Sequence, residues 1–196
     1  MAKHTEHRCF AVVLAAGRSQ RFGATKQLLE VDGVPMVCKA AALAHAVCGD
    51  YTLLVAGHEW GDVVAAAEGQ CQFVAINEDY TDGIGASIAC AARSLAQSAN
   101  SLLIMLADQP LITAEHLNAL LSAWSGDDDE IVATAFAGSR GPPVLMPRST
   151  FSDLARLSGD SGARKLLDSP DYRLTTVCFE PAAVDIDSPD DLKHLC

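Results

Sequence analysis

Five short apolar runs restrict what this chain can fold into: Phe10–Leu14, Tyr51–Val55, Gln72–Ile76, Leu102–Leu106 and Ile131–Ala135. Each has the length of a buried strand. Alanine-rich, helix-like segments separate them, near Pro35–Val47, Glu59–Glu68, Ile84–Ala96 and Thr113–Trp124. Parallel neighbours need a crossover, usually a helix, so this alternation predicts a mostly parallel sheet covered by helices on both faces. Pro35 suits a first helical turn, Thr113 an N-cap, and Val31-Asp32-Gly33-Val34 a turn. After Glu130 the pattern loosens. Pro142–Pro147 reads as extended, with prolines removing donors. Short helices are expected near Arg148–Leu157 and Ser161–Leu167, strands near Arg173–Val177 and Ala183–Val184, and a last helix from Ser188-Pro189. There is no repeat and no linker, so residues 1–196 are expected to form one α/β domain, with 1–8 a disordered tail.

The first run ends in Leu14-Ala15-Ala16-Gly17-Arg18-Ser19-Gln20-Arg21-Phe22-Gly23-Ala24-Thr25-Lys26-Gln27. A strand that stops in small residues and then supplies glycines and cations suits a polyanion. Gly17 and Gly23 let backbone N–H groups approach it, while Arg18, Arg21 and Lys26 give charge-assisted donors. The spacing is not that of a Walker loop, and Ser19 stands where a dinucleotide fingerprint needs its second glycine. A triphosphate site is the expectation.

A second anchor is Leu102–Leu106 followed by Ala107-Asp108-Gln109-Pro110. In such sheets ligands bind beyond the carboxyl ends of the strands, which puts Asp108 beside the glycine loop as a candidate Mg²⁺ ligand; otherwise it caps a loop. The Asp185-Ile186-Asp187-Ser188-Pro189 run caps a helix and offers further carboxylates. Asp127-Asp128-Asp129-Glu130 lacks the spacing of a calcium loop and reads as a solvated turn. Two more loops lead into helices. One carries Gly83, Gly85 and Ser87; the other carries Asp160, Ser161, Gly162 and Arg164. His58 and His116 stand where helices begin and read as surface or capping residues.

The formal charge of −11 argues against a nucleic-acid surface, which needs an extended basic face, but not against a nucleotide in a local basic pocket. No apolar run reaches the length of a membrane span, and the polar Met1–Cys9 stretch has no secretory core, so the cytoplasm is the expectation. Seven cysteines without C-x-x-C spacing read as small buried hydrophobes in a reducing compartment.

The Leu-Ala-Ala-Gly, Arg-Phe-Gly and Lys spacing resembles the signature loop of the nucleotidyltransferases, most closely the molybdenum cofactor cytidylyltransferases and guanylyltransferases, the MobA-like group. The resemblance runs in motif order through Gly-x-x-x-Ser, Ala-Asp-Gln-Pro, Gly-Pro-Pro, Gly-Asp-x-Gly-Ala-Arg and Asp-Ile-Asp-Ser-Pro. Pro142 stands where the family commonly has histidine, and Met146 where it has an aromatic residue.

The resemblance implies a Rossmann-like three-layer sandwich of the nucleotide-diphospho-sugar transferase kind. The activity it implies is attachment of CMP from CTP to the phosphate of molybdopterin, with release of pyrophosphate. It assigns catalysis to Lys26, Arg21 and Asp108, and nucleotide binding to Leu14, Ala15, Ala16, Gly17, Arg18, Gly23, Lys26, Gly83 and Ser87. Mg²⁺, or Mn²⁺ in its place, falls to Asp108 and Asp187. The acceptor falls to Gly141, Asp160, Gly162 and Arg164. Leu-Ala-Ala-Gly, where guanylyltransferases tend to have Leu-Ala-Gly-Gly, points to CTP over GTP. The alternatives are GTP-dependent guanylyl transfer, cytidylyl transfer to another small phosphate such as methylerythritol phosphate, and non-catalytic delivery of cofactor to an apo-molybdoenzyme or its chaperone.

Overall fold

The computed structural model describes residues 8–18, 25–160, 162–186 and 191. The first apolar run, β1 (Cys9–Ala15), lies inside a seven-stranded sheet. The others are β2 (Glu30–Val31), β3 (Val34–Pro35), β4 (Thr52–Ala56), β5 (Phe73–Ile76), β6 (Ser101–Leu106), β7 (Glu130–Phe136), β8 (Ser139–Pro147) and β9 (Arg173–Cys178). The sheet order is β5-β4-β1-β6-β8-β7-β9, and β8 alone runs against its neighbours. The strands β2 and β3 form a separate hairpin across Asp32 (φ 55°) and Gly33 (φ 75°), the conformation a two-residue turn needs.

Strand alternation splits the core in two. Phe10, Val12 and Leu14 face one cluster, with α3 (Gly83–Leu95), α5 (Phe151–Leu154) and α6 (Arg164–Leu167) packed over it. Ala11, Val13 and Ala15 face the other, beneath α1 (Met36–Cys48), α2 (Trp60–Ala66) and α4 (Ala114–Ala123). Ala40, Ala41 and Ala44 keep α1 close to the sheet. The result is the expected three-layer α/β sandwich. Thr113 caps α4 by accepting the His116 N–H at 3.2 Å. No described helix is long and apolar enough to cross a membrane.

The second half departs from expectation in several places. Pro142–Pro147 is extended as expected, but it forms most of β8, a strand paired on both sides. The register slips between Ala133 and Thr134, so Thr134 faces Gly141 while Ala133 faces Val144. Pro142 and Pro143 fall in that slip, where the ladder asks for no N–H. No strand forms at Ala183–Val184. Pro181 sits within a 3₁₀ turn (Glu180–Ala183), and Val184 N–H donates to the Pro181 carbonyl. The two short helices are realised only in part, as α5 after a 3₁₀ turn and as α6. The expected final helix lies outside the described residues, as do residues 1–7, whereas the Arg8 N–H donates to Asn100 Oδ1. The six described cysteines are free thiols.

The acidic run also divides. Asp127, Asp128 and Asp129 are exposed, but Glu130 is 4% exposed. Burial pushes its carboxyl pKa up, yet donors from Ser125 and Thr175 and the Arg173 guanidinium outweigh that and hold it at about 2, below the ordinary 4.5. The charged form is therefore favoured in the folded chain, by on the order of 3 kcal/mol at neutral pH. This contribution is complete above pH 4.5 and disappears as pH falls toward 2. Glu130→Gln should lower the melting temperature at pH 7 and flatten its fall over that acid window. An unchanged wild-type-like pH profile in the variant would show that Glu130 does not carry it.

Candidate functional site

The parallel strands end together at one edge, and short backbone bonds bind the loops that leave them. Ala107 N–H donates to the Leu14 carbonyl, His58 N–H to Ala16, and Asn77 N–H to Ala56. These contacts bring the loops after β1, β5 and β6 around a cleft of about 490 Å³, a size that suits a small organic ligand. Leu14, Ala16, Gly17, Arg18, Lys26, Gly83, Ser87, Asp108 and Asp160 all line it.

Its charged centre is a contact between loops 82 positions apart. A 3₁₀ turn (Lys26–Leu28) carries Lys26, whose Nζ lies 2.6 Å from Asp108 Oδ2. Gln27, on the same turn, is buried and donates to the Gly17 carbonyl at 3.0 Å, fixing the turn to the strand end. Asp108 Oδ1 is buried with no hydrogen-bond partner among the described residues. A buried carboxylate oxygen without a donor suits a cation. The described residues contain no group of three His, Cys, Asp or Glu side chains that could hold a metal. A hard cation at Asp108 would therefore draw most of its oxygens from phosphate, water or residues outside that set. Gln109 anchors the turn from behind, donating to the Ala182 carbonyl at 2.9 Å and to Pro142 at 3.3 Å. Ile186 N–H donates to the Asp108 carbonyl at 3.1 Å, which brings the Asp185-Ile186 segment to the same turn.

The opposite wall joins two loops that the sequence kept apart. Gly159 N–H donates to the Asp82 carbonyl at 2.7 Å and Gly85 N–H to the Gly159 carbonyl at 2.9 Å, so Asp160 stands against Gly83. Gly162 packs on Ile84. Ala15 is buried beneath the cleft rather than lining it. Gly141 sits in β8 opposite Thr134, and Arg164 is exposed at the start of α6; neither lines this cleft. Arg21, Gly23 and Asp187 lie outside the described residues.

Gln27, Tyr80, Thr81, Ile84 and Leu106 line the cleft without having been singled out in the sequence. Tyr80 packs so closely on Gly57, together with Ala16, that Gly57 has no room for a side chain, a contact that local sequence does not announce. His116 is not a surface residue. It is buried, stacked on Phe179 at 4.3 Å, and 2.8 Å from Thr134 Oγ1. Thr134 donates to the Pro143 carbonyl, so His116 presents its Nε2–H.

Residues 11–176 match the model of the MobA-like NTP transferase domain. The purine catabolism protein PucB of Bacillus subtilis is 31% identical over 166 residues, spanning 81% of this chain and 80% of that protein. The crystal structure of Rv0371c from Mycobacterium tuberculosis superposes with a TM-score of 0.81 at 28% identity, covering 96% of this chain and 97% of that one. The same mycobacterial protein has been solved in complex with manganese. Molybdopterin-guanine dinucleotide biosynthesis protein A from Archaeoglobus fulgidus shares the fold, with a TM-score of 0.67 at 18% identity over 94% of this chain and 95% of that one. The family match begins in β1 and takes in the Lys26 turn, the Asp108 turn and the sheet that sets them face to face. This chain therefore belongs to the MobA-like NTP transferase family, and it is a nucleotidyltransferase.

Proposed function

We propose that this enzyme transfers CMP from CTP to the terminal phosphate of molybdopterin and releases pyrophosphate. The observation that carries the reading is the Lys26–Asp108 contact at 2.6 Å with Asp108 Oδ1 left over beside it. A cation and a spare carboxylate oxygen at the end of a strand suit a triphosphate. The attacking phosphate monoester has a second pKa of about 6, so at neutral pH it is already largely a dianion and no side chain need deprotonate it. Its oxygen forms a bond to the α-phosphorus while the bond to the β-phosphate oxygen breaks.

The protein's task is then to hold two anions together. Lys26 neutralises the α-phosphate and the incoming phosphate. Arg18, with Arg21 and the loop amides assigned from the sequence pattern, holds the pyrophosphate portion. Asp108, with Asp187 assigned from the resemblance, holds Mg²⁺ or Mn²⁺; the bound cation would offset charge on the phosphate oxygens and the leaving group. Asp160 forms the acceptor side of the cleft, with Gly162 and Arg164, outside its lining, assigned from the resemblance. Ala16 puts a methyl group on the cleft wall, which disfavours a purine.

Incubating the protein with molybdopterin, Mg²⁺ and either CTP or GTP tests the reading through pyrophosphate release and product mass. CTP should exceed GTP in kcat/KM by about 10- to 200-fold, the discrimination one methyl group gives. A GTP preference would reassign the base, and pyrophosphate release only with methylerythritol phosphate would reassign the acceptor. Binding without turnover would favour cofactor delivery.

A further inference from the structure

Asn77 follows β5 and is 2% exposed, while Ser87, inside α3, is 6% exposed and lines the cleft. Asn77 Oδ1 accepts the Asp79 N–H at 3.1 Å. That backbone group can only donate, so the amide orientation is fixed and Nδ2 must face Ser87. It donates to Ser87 Oγ at 3.1 Å. The hydroxyl oxygen is thereby an acceptor toward Asn77, which leaves its own proton to turn toward the cleft that Ser87 lines. That cleft also holds Leu14, Ala16 and Ile84 together with Thr81 and Asp160.

We infer that Asn77 is a positioning residue that fixes Ser87 as a donor into the cleft, so that the site selects a nucleotide atom able to accept a hydrogen bond there. This rests on the nucleotide reading above. Neither side chain exchanges a proton with substrate. Asn77 acts only through the direction of the Ser87 hydroxyl, and what it sets is affinity. A carboxylate in its place could still accept the Asp79 N–H, but its second oxygen would draw the Ser87 proton away from the cleft.

The test is a double-mutant cycle read by calorimetric binding of CTP and GTP to the full chain, together with KM and kcat. Asn77→Asp and Ser87→Ala should each weaken binding of the preferred nucleotide about tenfold, raising KM with kcat nearly unchanged. In the Ser87→Ala background, Asn77→Asp should cost less than twofold more. A general effect of the new charge on the triphosphate, or a loosened loop, would persist in both backgrounds. Equal losses in the two backgrounds, with wild-type binding intact, overturn this inference alone. Wild-type protein that binds neither nucleotide overturns the nucleotide reading and this inference with it. Should Asn77→Asp fail to fold, Asn77→Ala passes through the same cycle under the same criterion.

Discussion

Asp108→Ala is expected to lower kcat for nucleotidyl transfer by about 10²–10³-fold, with Lys26→Ala falling in the same range. The two side chains meet at 2.6 Å, each mostly buried, at the junction of the β1 and β6 loops. Both would meet developing charge, Lys26 directly and Asp108 through a cation, so each loss should appear in kcat rather than in KM alone. Groups that act as one unit lose little more when both are removed, so the double variant should fall well short of the product of the two single losses. The turn does not depend on the carboxylate for its shape, because Gln109, Ala107 and Ile186 tie it down through other atoms. Melting temperatures should therefore stay close to wild type. Pyrophosphate release at saturating CTP, beside a thermal melt, checks both halves. Near-normal turnover in either variant would remove the mechanism.

Gly83→Ala should destabilise the fold by about 3 kcal/mol and open the acceptor wall. Gly83 has φ +81° and ψ −178°, a region essentially restricted to glycine. A β-carbon there would press on Asp160 Oδ1 and lie 2.5 Å from the carbonyl carbon of Gly159. Relief would require moving the 158–160 loop, which would pull at the Gly159–Asp82 and Gly85–Gly159 hydrogen bonds. Gly61→Ala is the control: it is a helical position in open space, where the same substitution should stabilise by about 0.5–1 kcal/mol. Chemical denaturation of both variants should move in opposite directions. A Gly83→Ala protein as stable as wild type would mean the two loops are not joined as described.

Much of this architecture can be read from local pattern. Apolar runs gave the strands of the first half, and Gly17, Lys26 and Asp108 were placed at one edge by the rule that ligands gather beyond strand ends. What local pattern could not supply was pairing between distant segments. Two prolines argue against an inner strand, and only the register slip opposite Ala133 and Thr134 makes β8 acceptable. Glu130 belongs to an acidic run whose other members are exposed; its burial depends on Ser125, Thr175 and Arg173, the last two on or beginning β9. His116 looked like a helix-start residue because nothing near it in sequence announces Phe179 and Thr134. Gly83 and Asp160 were assigned to different ligands, yet one wall holds both.

A crystal of the protein grown with CTP and Mn²⁺, analysed by anomalous scattering, bears most directly on the central claim. The account predicts a manganese peak bonded to Asp108 Oδ1, with the triphosphate running between it and Lys26. A nucleotide bound away from the β1 loop, or manganese seated without Asp108, would contradict it.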